Sequence, residues 1–384
     1  METMAGFDAD PARKLRRVLM TGDASGEPWQ MIVELARALR DAGVEVHLAT
    51  MGQPLSAGDH RRLAASPGIR LHESSFKLDW MAEPWRDIVR AGEWLLRLED
   101  RVGPEVVHLN HPVYGALPWR NPAVAAVHGC LLSRWLAVKG EAAPAGWDPY
   151  RRAMASGLRG ARAVAAPSQS LLRGLGLFYG SFAPGRVIPY GRDPAEFPPG
   201  PKQPVVLCIA GLHDEAVDVA GLHEVAPDLS WPVYVAGETS LPAGGRLPAG
   251  GAMFLGWLSP EERRSWLSRA SLFVLPAVYE PFGIPVLDAA WSGCALVLGD
   301  IPSLSEVWGD AAVYAAPGDR HALRHAVRRL IQNAPLRRRL GERARERARE
   351  FTLRRMVDGY LDLYREVLAQ FRPQPGGQVG APAP

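Results

Sequence analysis

The stretch that decides the fold runs from Tyr279 to Asp319 and reads YEPFGIPVLDAAWSGCALVLGDIPSLSEVWGDAAVYAAPGD. It follows an apolar run, Leu272 to Leu275, of the length and composition of a buried strand. Glu280 comes just after that strand, and Pro281-Phe282-Gly283 predicts a tight turn. A helix is expected to open near Ile284-Pro285, because proline is suited to a first helical turn. The amides of Phe282, Gly283 and Ile284 would then point out of a helix N-terminus, an arrangement that suits an anion or sugar hydroxyls. Asp288 lies eight positions after Glu280. One carboxylate could face a sugar and the other a ribose of the same ligand. Glu280 also has a plainer reading, as a cap for the helix beginning at Ile284.

Outward from this segment the pattern repeats. Strands are expected at Val205 to Ala210, Val233 to Ala236, Met253 to Leu255 and Ala295 to Leu298, with helices between most of them. Upstream lies a proline-rich linker, RDPAEFPPGPKQP. Before it a second series begins with a strand, Arg17 to Thr21, and a small polar loop, TGDASGEP. The helix WQMIVELARALRDAG and the strand Val44 to Ala49 complete a βαβ unit. Further strands are expected at Glu105 to Leu109, Ala123 to His128 and from Ala163. The reading is α/β, with two doubly wound, Rossmann-like parallel-sheet domains facing a cleft. Residues 1–190 form the N-terminal domain, 191–204 the linker and 205–355 the C-terminal domain. A helix at 356–371, MVDGYLDLYREVLAQF, and a proline- and glycine-biased disordered tail at 372–384 complete the chain.

This pattern resembles the family-4 retaining glycosyltransferases of GT-B fold, whose signature is a glutamate, seven residues and a second glutamate. EPWRD, VVHLNHP, HGCLLSRWLAVKG and FLGWLS fit the same resemblance, which extends from Arg17 to about Phe371. It implies transfer of a hexose from a nucleotide-sugar donor to a hydroxyl acceptor, with no cofactor, no metal and no protein nucleophile. Glu280 would bind donor-sugar hydroxyls, and His128 would sit near that sugar. Phe282, Gly283 and Ile284 would contact sugar or phosphate, and Gly26 the donor diphosphate. Gly256, Trp257 and Leu258 would lie against the base, and Asp288 against the ribose. The 356–371 helix would cross back onto the N-terminal domain. On the residues alone, His128 also fits a hydrogen-bonded structural histidine, and His108 and His111 fit structural or rim positions.

The resemblance weakens at the phosphates. The family carries an arginine and a lysine about five residues apart after the first strand of the second domain. Here CIAGLHDEAVDVAGL places Leu212 and Val217 at those positions. Glu27 and Pro28 follow Gly26 where the family has a second glycine, and Tyr190 replaces an asparagine. Losing two cations costs about 3–6 kcal/mol of leaving-group stabilisation, for which His213 and Arg192 are the nearest substitutes in sequence. The alternative reading is therefore an attenuated or inactive member serving as a binding or scaffold partner. A dinucleotide oxidoreductase is disfavoured, because no GxGxxG follows the first strand.

Composition bounds the remaining functions. Lys and Arg number 44 against 41 Asp and Glu, a net charge of +3 that gives no reason to expect nucleic acid. Cys130, Cys208 and Cys294 are widely spaced and read as thiols of a reducing compartment. The N-terminus lacks a secretory apolar core and no run has bilayer-spanning length, so a cytoplasmic protein is expected. The basic stretch Arg324 to Arg349 reads as a solvated helix face and leaves room for peripheral membrane contact.

Overall fold

The computed structural model describes residues 15–24, 27–239 and 250–371. Gly26, the side chain of Glu27 and the tail at 372–384 lie outside the described residues. The first half contains β1 (Arg17–Asp23), α1 (Glu27–Asp41), β2 (Glu45–Met51), α2 (Ala57–Ala64), β3 (Ile69–Glu73), α3 (Trp85–Val102), β4 (Val106–Leu109), β5 (Ala123–Ala126), α4 (Leu131–Lys139), α5 (Asp148–Gly160), β6 (Ala163–Ala166), α6 (Gln169–Tyr179) and β7 (Gly185–Val187). The second contains β8 (Gln203–Ile209), α7 (Val219–Val225), β9 (Val233–Ala236), β10 (Met253–Gly256), α8 (Pro260–Arg269), β11 (Ala270–Leu275), α9 (Ile284–Trp291), β12 (Ala295–Gly299), α10 (Pro302–Trp308), β13 (Ala312–Ala315), α11 (Arg320–Gln332), α12 (Ala334–Ala348) and α13 (Leu353–Gln370).

Every pairing between these strands is parallel. The orders are β3-β2-β1-β4-β5-β6-β7 and β10-β9-β8-β11-β12-β13, so each sheet is doubly wound. Parallel sheets carry helices on both faces, which is why their central strands are continuously apolar. AVAA occurs twice, as β5 and β6, and all eight residues are buried. Strand alternation sends Val18 and Met20 to one core and Leu19 to the other. The first of these cores runs on through α1 and α13 into the second half of the molecule.

The last helix does return to the N-terminal sheet. Met356, Tyr360, Leu363, Tyr364 and Val367 form one buried stripe at helical spacing. Tyr364 Oη lies 2.5 Å from His108 Nδ1 of β4, and Glu366 pairs with Arg186 of β7. The linker and this returning segment meet at Gly191. A Cβ there would stand 2.1 Å from the Thr352 carbonyl oxygen, so glycine is needed for the close approach. Beside it the Arg192 amide donates to Phe351 O (3.1 Å) and the Leu353 amide to Arg192 O (2.9 Å). The three cysteines are buried free thiols.

Candidate functional site

In doubly wound sheets the crevice for a ligand opens beyond the carboxyl ends of the strands, where the strand order reverses. Those points fall between β1 and β4 in one sheet and between β8 and β11 in the other. A cavity of about 630 Å³ lies between them. Its N-terminal wall includes Pro28 and Trp29. Gly211, His213, Asp214, Glu238, Trp257, Arg263, Glu280 and Ile284 line the C-terminal wall.

The Glu280 turn is built as its sequence predicts. Gly283 is the N-cap of α9 and adopts φ +88°, which disfavours any side chain there. Glu280 Oε1 accepts from the amides of Phe282 (3.1 Å) and Gly283 (2.9 Å). Two groups expected to meet a ligand separately are thus bonded to each other, and the carboxylate caps the helix while lining the cavity. The turn is anchored from several sides. The Phe282 ring is fully buried and meets Tyr190 and Phe351 edge to face. Ser303 donates to the Glu280 carbonyl, and Ser168 Oγ to the Pro281 carbonyl at 2.8 Å. Tyr279 Oη accepts the Cys130 amide at 2.7 Å.

His128 lies just past β5 and lines a neighbouring cavity of about 240 Å³, not the larger one. Its Nε2 is 2.7 Å from Asn110 Oδ1, which can only accept, so Nε2 carries the hydrogen. Nδ1 then accepts from Tyr190 Oη at 2.7 Å. Asn110 Oδ1 also receives His108 Nε2 at 3.1 Å. Burial, together with His108 and His111, lowers the pKa of His128 to about 3. Burial lowers that of His108 to about 4. Burial thus favours the neutral form of both rings, and His128 orients its neighbours with the single ring hydrogen that it gives to Asn110. Tyr190, in the place of the family's asparagine, links this network to Phe282 across the domains. His111 also lines the smaller cavity. It is buried between Asp23 (3.4 Å) and Asp79 (3.8 Å), whose carboxylates outweigh burial and raise its pKa.

Arg192 and Asp288 depart from their expected placement on the donor. Both are about 1 % exposed and pair with each other at 2.8 Å, away from the cavity wall. Arg192 also pairs with Glu34 of α1, whose carboxyl burial pushes upward against the pull of Arg192. The reason is electrostatic, since a buried carboxylate needs a buried cation. Asp288 Oδ2 further contacts Arg263 Nη2 at 2.8 Å. That contact lacks hydrogen-bond geometry, and among the described residues Arg263 Nε and Nη2 have no hydrogen-bond partner. Arg263 is a cavity cation with no local sequence signal, because its pairing comes from the packing of α8 on α9.

The remaining expected residues divide. Trp257 lines the cavity and is 77 % exposed as a residue, whereas Gly256 and Leu258 do not line it. His213 lines the wall and is exposed. Leu212 packs against the core and Val217 is buried, so neither position supplies a cation. Asp214 and Glu215 instead form ion pairs with Arg134 (2.7 Å) and Lys139 (2.6 Å) of α4 in the opposite domain.

Two Rossmann-like sheets facing an interdomain cavity define the GT-B architecture. Residues 29–196 match the family description Glycosyltransferase Family 4, and residues 199–347 match Glycosyl transferases group 1. The chain belongs to the family-4 glycosyltransferases of GT-B fold. Sucrose-phosphate synthase from Thermosynechococcus elongatus superposes with a TM-score of 0.77 at 17 % identity, covering 93 % of this chain and 100 % of that one. HepE from Anabaena in complex with UDP-glucose gives 0.71 at 15 % identity, covering 92 % and 100 %. In sequence, O-antigen chain mannosyltransferase B of Escherichia coli is 39 % identical over 70 residues, 18 % of each chain. Glycogen synthase of Mycobacterium tuberculosis is 43 % identical over 68 residues, 17 % of this chain and 16 % of that protein. These sequence matches span less than a fifth of the curated relatives. Among the described residues, no helix is long and apolar enough to cross a membrane.

Proposed function

We propose that the protein transfers a hexose, with retention of configuration, from a nucleotide-sugar donor to a hydroxyl acceptor. The observation carrying this reading is Glu280, a carboxylate held by two amides at the N-terminus of α9 on the wall of a cavity that both domains line. Sugar hydroxyls donate to that carboxylate, and the α9 dipole favours the donor phosphates beside it. The exposed Trp257 ring offers a stacking face for the base. Arg263 is a cation on the wall of this cavity, and His213 offers ring nitrogens there for hydrogen bonds to the donor.

Retention in this family's manner proceeds on one face of the sugar. The bond between anomeric carbon and diphosphate breaks as the acceptor oxygen bonds to that carbon. The departing phosphate oxygen takes the acceptor proton. The neutral His128 fits this scheme as a positioning residue, since the proton has another destination. Domain closure excludes water and so limits hydrolysis. HepE crystallises with UDP-glucose, which makes UDP-sugars the first donors to try. Titration calorimetry with UDP, GDP, ADP and their sugars tests the reading. At least one is expected to bind, and binding of none at millimolar concentration would sink it.

A further inference from the structure

The phosphate-facing loop has no cation of its own, yet one stands directly across the cleft. Helix α4 begins against the Glu280 turn, with the Cys130 amide on Tyr279 Oη at 2.7 Å. A Cβ on Gly129 would lie 3.6 Å from Tyr279 Oη and 3.8 Å from Pro281. One turn later Arg134 reaches over to Asp214, Nη2 to Oδ1 at 2.7 Å. Asp214 lines the larger cavity and Arg134 the smaller one, so their ion pair forms part of the partition between the two. The side chain of Arg134 also ends two residues in sequence from Leu212 and three from Val217, the positions where cations are missing.

We propose that Arg134, from the N-terminal domain, is the diphosphate-binding cation that the Leu212 to Val217 loop lacks. The inference rests on the donor reading above. Three features make the exchange of partners favourable. The Arg134 and Asp214 side chains are 34 % and 37 % exposed, and an ion pair so open to water is weak. Asp214 Oδ1 keeps the Ala216 amide at 3.0 Å after the guanidinium leaves. A guanidinium carries five N–H donors in a planar fork matched to phosphate oxygens, and Nη2 alone is used on Asp214. The Cys130 amide on Tyr279 Oη holds the start of α4 at the Glu280 turn and keeps Arg134 within reach, and Lys139 makes a second exposed ion pair with the same loop, to Glu215 at 2.6 Å. A cation at the partition meets the departing diphosphate on the side where the acceptor approaches, which is where negative charge develops.

Calorimetry of wild type, Arg134→Ala, Arg134→Lys and Asp214→Asn tests this, using UDP, GDP and ADP with the parent nucleosides uridine, guanosine and adenosine. For the diphosphate that binds wild type, Arg134→Ala is expected to weaken affinity by about tenfold or more. The parent nucleoside should change by no more than about twofold, because it lacks the phosphates. Arg134→Lys should recover part of the loss. Asp214→Asn should tighten the diphosphate, because it removes the competing carboxylate. An unchanged diphosphate affinity in Arg134→Ala overturns the proposal, as does an equal loss for the nucleoside. Absence of any diphosphate binding to wild type overturns the donor reading as well, whereas binding insensitive to Arg134 overturns this inference alone.

Discussion

The two sides of the cleft are made in different ways. Around Glu280 each group is fixed by buried neighbours, with Phe282 under Tyr190 and Phe351 and with backbone anchors from Ser168 and Ser303. Around Asp214 the contacts are ion pairs between partly exposed side chains, Arg134 to Asp214 and Lys139 to Glu215. The first side is preorganised, and a ligand finds its partners in place. The second is exchangeable, and a ligand must compete for them. A fixed carboxylate and an exchangeable ion pair thus line one cleft from differently built walls.

The largest effect that would break this comparison belongs to Glu280. Glu280→Ala removes the carboxylate but leaves Phe282 packed, so the fold should persist. Two charge-assisted hydrogen bonds to a sugar are worth about 3–6 kcal/mol, so turnover should fall by roughly 10²–10⁴. Retention of most activity would show that the rigid half is only scaffold. Next comes Arg192→Ala, which strands Glu34 in the interior and leaves Asp288 with the Arg263 contact alone. Urea unfolding should show a loss of about 3–5 kcal/mol. Adding Glu34→Gln and Asp288→Asn should recover much of it, and no recovery would mean that lost packing rather than stranded charge is responsible.

The histidine network is expected to give a smaller effect that depends on pH. His128 has a folded-state pKa near 3 against an ordinary value of 6.5, so its folded form favours the neutral ring. Its stabilisation is complete above pH 6.5 and declines as pH falls toward 3, by at most about 1.4 kcal/mol per pH unit. His128→Gln should flatten the fall in unfolding free energy between pH 7 and 5, and an unchanged slope would mean that the ring is not held neutral. The smallest change is expected at the exchangeable side. Lys139→Ala should cost less than about 1 kcal/mol of stability, and a loss of several kcal/mol would show that this side is as rigid as the other.

Much of this contrast could be read in the chain, and part of it could not. The Pro281-Phe282-Gly283 turn, the opening of α9 at Ile284 and the doubly wound order follow from local rules, namely glycine at positive φ, proline in a first turn and apolar runs between helices. The short strands β3, β7 and β13 carry little signal of their own. Their pairing comes from the neighbouring strands. The sequence also could not say what Asp288 faces. Its partners Arg192 and Arg263 lie 96 residues before it and on another helix, and only the packed interior brings them together. Arg134 was hidden for the same reason, because its acid belongs to the opposite domain. The tautomer of His128 needed Asn110 and Tyr190 in place before it could be assigned.

The chain passes between the two sheets twice, once through Gly191 and Arg192 and once through Phe351 to Leu353, and backbone hydrogen bonds stitch the passes side by side. Mechanically the connection is a ribbon and not a thread. Two stitched strands resist bending in their own plane more than one strand would, so any relative movement of the domains is easiest about the flat of the ribbon.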